Sequence, residues 1–155
     1  MPPQGTPRAL AEASLEIAAS PPVLWATFVE LAKWPRWSPT VKSVACVFGA
    51  EWTLGAQFKL DMELPFPVKL WSSIATVVEV QPAVSVAWET EYPLDVLVVR
   101  SYRFKPTGSG TLMTIQEAYY GSWVWLYRLS GFPRQMLQAF EQTLQNLKTY
   151  LEVGA

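Results

Sequence analysis

Apolar and polar residues alternate from Leu10 to Ala18, with Ala11, Ala13, Leu15 and Ile17 on one side and Glu12, Ser14 and Glu16 on the other. This period predicts a strand with one buried face, although the residues individually also suit a helix. Ser20-Pro21-Pro22 reads as a helix start: a hydroxyl able to cap free N–H groups, then prolines where the missing N–H does no harm. Leu24, Phe28 and Leu31 follow at helical spacing. The helix is expected to stop near Lys33, because Pro35 cannot continue it and restricts Trp34. Trp34, Pro35, Trp37 and Pro39 form a compact aromatic elbow with room for a second short helical turn.

Six further strands are predicted over 41–48, 57–64, 68–80, 84–91, 95–105 and 110–120. Turn chemistry separates them: Gly49 and Gly55, Pro65 and Pro67, Gln81-Pro82, Tyr92-Pro93, and Gly108-Ser109-Gly110. Links this short, with no helices between, demand antiparallel pairing in a meander. Over 132–153 the period changes to that of a helix. Leu137, Phe140, Leu144, Leu147 and Leu151 make one stripe, and Gln138, Glu141, Gln142, Gln145 and Lys148 cover the opposite face. The expected fold is α+β, a curved antiparallel seven-stranded sheet around a long C-terminal helix, with an apolar cavity between them. Residues 1–9 read as a disordered tail and 10–153 as one domain.

Composition sharpens this picture. In 155 residues, half are hydrophobic and 14% aromatic, while only 16% are charged, so apolar surface is left over for a cavity, an oligomer interface or an exposed patch. A net charge of −1 offers no basic face to a phosphate backbone, which argues against a nucleic-acid partner. No apolar run approaches the length that spans a bilayer, and the nearest, Leu94–Val99, is short and interrupted by Asp95, so no integral membrane segment is expected. The start MPPQGTPR lacks the apolar stretch of a signal peptide, and Cys46 is the only cysteine, so a cytoplasmic location is expected. There is no histidine. That removes the commonest general base and the usual zinc ligands together, so neither a metal nor another cofactor is expected.

The order strand, two short helices, six strands, long helix resembles the helix-grip fold of the superfamily that contains START lipid-transfer domains, birch-pollen-allergen-like proteins and polyketide cyclase/dehydrase-like proteins. Local patterns carry the resemblance: Ala19-Ser20-Pro21, Trp34-Pro35-Arg36-Trp37-Ser38-Pro39, Gly55-Ala56-Gln57-Phe58, Val80-Gln81-Pro82 with Trp88 beyond it, Gly110-Thr111, and Glu117-Ala118-Tyr119-Tyr120-Gly121. It covers residues 10 to 152 and is closest to the polyketide cyclase/dehydrase-like branch. What it implies is a cavity; the superfamily's functions range from lipid carriers to aromatase/cyclases.

Alternation places Val96, Val98, Arg100, Tyr102 and Phe104 on one face of the sixth strand, and Met113, Ile115, Glu117 and Tyr119 on one face of the seventh. Counted through the turn at 106–110, Arg100 and Glu117 fall at nearly adjacent ladder positions. Either Arg100 anchors a ligand carboxylate or enolate that Glu117 helps orient, or the two satisfy each other, or both face solvent. Trp71, Trp88, Trp123 and Trp125 are candidates for the cavity wall or mouth, with core packing as the alternative. Met136 and Phe140 of the long helix are candidates to face the same space, with a plain core role as the alternative. The segment from Gly121 to Tyr127, carrying Trp123 and Trp125, reads as a loop that is either an apolar gate or a cap over the helix end.

Three functions are compatible with these residues. The first is binding or transport of a hydrophobic small molecule such as a lipid, an isoprenoid or an aromatic polyketide. The second is a cofactor-independent cyclase or dehydratase using Arg100, Glu117, Tyr102 or Tyr119. The third is an interaction module, possible as a homodimer, docking through Trp34, Trp37, Trp123 and Trp125.

Overall fold

A computed structural model of the protein describes residues 5–64 and 70–153. Seven strands form one antiparallel sheet: β1 (Ala9–Ile17), β2 (Val41–Phe48), β3 (Gln57–Glu63), β4 (Leu70–Gln81), β5 (Ser85–Tyr92), β6 (Val96–Pro106) and β7 (Thr111–Tyr120). Their spatial order is β1-β7-β6-β5-β4-β3-β2, a meander from β2 to β7 whose last strand takes β1 along its free side. The strands expected from alternation are all present. Residues 68 and 69 of the fourth, with Pro65 and Pro67, lie outside the described residues.

Among the described residues four α-helices and one 3-10 turn complete the fold: α1 (Pro21–Phe28), α2 (Trp34–Trp37), α3 (Val124–Ser130) and α4 (Phe132–Val153), with the turn between α1 and α2. The 22 residues of α4 span about 33 Å. Met136, Phe140, Leu144 and Leu147 of α4 are buried against the concave face, as the apolar stripe requires. Gly110 is obligatory where β7 starts, because a Cβ there would sit 2.1 Å from the Ile17 carbonyl oxygen.

Two expectations are corrected. The first helix ends at Phe28, not near Lys33; a 3-10 turn (Leu31–Lys33) then leads into α2. The cause is tertiary: the Trp34 indole N–H donates to the Phe28 carbonyl at 2.7 Å and that of Trp52 to the Val29 carbonyl at 3.0 Å, taking acceptors that another helical turn would need. Second, the segment before the long helix is helical rather than a loop: Trp123 precedes α3, and Val124 and Trp125 lie in it.

Candidate functional site

The site is best followed along the concave face, from the elbow of α1 and α2 toward α3. At the elbow end the face is full. Phe28, Trp34 and Trp37 point inward, each at most 1% exposed, and pack with Trp52, Trp88 and Tyr102 at ring separations of 4.8 to 6.4 Å. Trp34 and Trp37 therefore belong to the core, which overturns their expected part in a docking surface. Trp88, at 2% exposure, also faces inward within this cluster.

Arg100 and Glu117 occupy the middle of the face. Counting through the hairpin placed them close; they are direct partners across β6 and β7, and both are buried. Arg100 Nε donates to Glu117 Oε2 at 2.7 Å, and its terminal nitrogen lies 2.6 Å from the same oxygen. Tyr119 Oη donates to the other oxygen, Oε1. The Arg100 guanidinium also lies over the Phe140 ring, 5.1 Å from its centroid, a cation–π contact. Both oxygens of the carboxylate thus accept from protein donors, the condition under which a buried ion pair is tolerated.

The electrostatics follow from this burial. Desolvation works to lower the Arg100 value, but the Glu117 carboxylate and the phenols of Tyr102 and Tyr92 lift it well above the ordinary one. Burial pushes Tyr92, Tyr102 and Tyr119 upward, and the negative charge of Glu117 adds to the rise for each. At neutral pH these phenols are donors, not bases.

The cavity expected under the long helix is nearly absent. About 10 Å³ remains beside Arg100 and Glu117, bounded by residues including Met62, Trp88, Val98 and Tyr92, room for a single water at most. Met113, Ile115 and Met136 are core residues at 0 to 1% exposure, and Phe140 is held beneath the guanidinium.

Beyond Tyr92 the face opens. A groove of about 240 Å³ is lined by Leu64, Trp71, Tyr92, Pro93, Leu126, Tyr127, Ser130 and Phe132, almost all apolar. Tyr92 borders both this groove and the small void, so its ring is the partition between them. The rim is made by α3 and the β5–β6 turn, joined by a 2.8 Å hydrogen bond from Tyr127 Oη to the Pro93 carbonyl. Leu94 and Asp95 in that turn hold φ of 66° and 54°, a left-handed conformation that costs non-glycine residues energy. Gly121 at φ 130° lets the chain pass within 2.8 Å of the Asp95 carbonyl, measured from the Cβ it lacks.

Trp71 alone among the four tryptophans singled out from the sequence lines this groove. Its indole N–H is buried and has no hydrogen-bond partner among the described residues. Trp123 and Trp125 form a tilted ring pair, 5.8 Å between centroids, on the protein surface, 46% and 55% exposed. Reading the sequence missed Tyr92, Leu64 and Phe132. Tyr92 was within reach, since it continues the inward alternation Val86, Trp88, Thr90 of β5, but Tyr92-Pro93 reads first as a turn. Among the described residues no group of three or more His, Cys, Asp and Glu is arranged to hold a metal ion, and no helix is long and apolar enough to cross a membrane.

The sequence profile of the family described as polyketide cyclase/dehydrase and lipid transport matches residues 8–152. A search of curated proteins gives no match. Among solved structures, a Rhodobacter sphaeroides protein superposes with a TM-score of 0.73 at 18% identity, covering 98% of this chain and 97% of that one. The di-domain ARO/CYC StfQ of the steffimycin biosynthetic pathway gives 0.74 at 16% identity, covering 94% of this chain and 52% of StfQ. The Aha1 dimer from Colwellia psychrerythraea gives 0.68 at 14% identity, with 94% and 98% covered. Likeness at these identities concerns the fold.

Proposed function

This chain belongs to the polyketide cyclase/dehydrase and lipid transport family, and on that premise we propose that it binds a hydrophobic small molecule in the groove between Tyr92 and α3. The observation that carries the reading is the apolar lining of this opening beside an otherwise filled core. Its volume of about 240 Å³ is below the roughly 300–1,000 Å³ of pockets that enclose a whole drug-sized ligand. The groove suits one aromatic ring system or the end of a chain, with the remainder outside or reached by moving α3.

The Trp71 N–H, which has no hydrogen-bond partner among the described residues, sharpens the ligand class. A desolvated donor in an apolar wall favours a molecule that brings one oxygen acceptor to it, such as a ketone, an ester or a carboxylate on an apolar body. Native mass spectrometry of the purified protein tests the reading. A stoichiometric apolar adduct carried by the natural protein and lost in Phe132→Ala supports it; an adduct that Phe132→Ala retains at full occupancy refutes this location.

The cyclase reading draws less support. Both Glu117 oxygens are taken by Arg100 and Tyr119, and the buried phenols stay protonated. A substrate would have to displace these bonds to recruit the pair.

A further inference from the structure

The face of α3 turned away from the groove is apolar. On a helical wheel Trp125 and Leu129 share this face, with Leu126 between it and the groove, and Leu129 is 78% exposed. Trp123, packed against Trp125, extends the edge toward Gly121, and Leu10 of β1, more than half exposed, extends it on the other side of Arg8. A soluble domain does not ordinarily leave so many large apolar groups adjacent and uncovered.

Three arginines frame this edge. Arg8, Leu10, Arg128, Leu129 and Arg134 line one surface cleft, and Arg8, Trp125 and Arg128 line a second. None of the three arginines makes a salt bridge among the described residues. From Tyr120 to Phe140 the chain contains no Asp or Glu, and Glu12, the nearest acid to Arg8 along β1, lines neither cleft. With a net charge of −1 overall, the rest of the protein is negative, so a negative surface attracts this side and repels the others.

We infer that α3, with Arg8 and Arg134, is a docking surface for an anionic phospholipid bilayer. Tryptophan rings settle at the membrane interface, and arginines lay their aliphatic stems along the apolar boundary while the guanidinium meets the phosphates. A helix as short as α3 lies in the interface plane instead of crossing. A second copy of this chain fits less well, because a symmetric contact would set each arginine cluster against its own image. The inference does not rest on what the groove binds. It does place the groove rim at the bilayer, since Leu126 and Tyr127 of α3 line the groove.

Flotation of the full chain with phosphatidylcholine vesicles, with and without phosphatidylglycerol, tests this. The expected result is salt-sensitive binding to the anionic vesicles that falls about 30-fold in Arg128→Gln/Arg134→Gln, roughly fivefold per arginine. Trp125→Ala weakens binding too, and brominated lipid quenches less fluorescence in it than in the natural protein. Thermal midpoints unchanged in both variants show that folding is not the cause. The inference is overturned if low-salt anionic vesicles float no protein, or if the double arginine variant binds as tightly as the natural chain. A dimer abolished by Trp125→Ala, without flotation, likewise overturns it and gives the patch to a second copy.

Discussion

At the elbow end of the concave face Phe28, Trp34, Trp37, Trp52 and Trp88 close the space between sheet and helices, whereas at the α3 end Trp71, Tyr92, Tyr127 and Phe132 leave about 240 Å³ open. Both ends are rich in aromatic rings, so ring content does not explain the difference. What differs is how the adjoining helix is tied down. The carbonyls at the end of α1 receive two indole hydrogen bonds, while α3 buries only Val124 and is tied to the β5–β6 turn by one exposed tyrosine hydroxyl. Gly121 and Gly131, both at positive φ, flank α3. A segment with few buried contacts between two such glycines is the natural place for local opening. The buried pair Arg100–Glu117 stands between the two ends and, through Phe140, holds the middle of α4.

The largest expected effect breaks the closed end. Trp34→Ala removes a fully buried ring and one indole cap and should lower unfolding free energy by about 5 kcal/mol, read from urea denaturation. Next is the boundary. Arg100→Leu leaves Glu117 buried without its cation and should cost about 4 kcal/mol, most of it recovered in Arg100→Leu/Glu117→Leu; a double variant no better than the single would mean the pair is not the cause.

Alkaline unfolding probes the same boundary. Tyr92, Tyr102 and Tyr119 have folded values raised above the ordinary 10.0, so their contribution is fully present below about pH 10. Above that, the unfolded chain loses protons that the native state retains, and stability falls by about 1.4 kcal/mol per pH unit for each tyrosine. Tyr92→Phe should remove about a third of that slope.

The open end should respond less. Phe132→Ala borders space that is already empty, so its expected cost is about 1–2 kcal/mol, below the usual range for a buried phenylalanine, while ligand affinity falls by tenfold or more. Trp125→Ala, on the outer face of α3, should stay within about 0.5 kcal/mol of the natural protein.

Much of this architecture was legible in the residue pattern. Alternation located the strands, and counting through the turn at Gly108-Ser109-Gly110 brought Arg100 opposite Glu117, because a hairpin fixes its own register. The inward turn of Trp34 and Trp37 was not legible. It depends on bonds such as Trp52 to Val29, across 23 residues, which no local period encodes. α3 has seven residues, too few to establish a helical repeat. Alternation also states which face a side chain takes, not how closely the helix approaches the sheet, so it suggested a central cavity where Phe140, Met136 and Arg100 in fact fill the space. The opening lies one partition further along, behind Tyr92, where the inward alternation of β5 runs into a Tyr-Pro turn.

Intermolecular NOEs between the protein and a bound apolar probe of one naphthalene ring with a ketone oxygen test the central claim most directly. The account predicts contacts to Leu64, Tyr92, Tyr127 and Phe132, and a downfield shift of the Trp71 indole N–H as it gains an acceptor. Contacts to Met113, Ile115 and Phe140 beneath the long helix, with the groove residues unaffected, would contradict it.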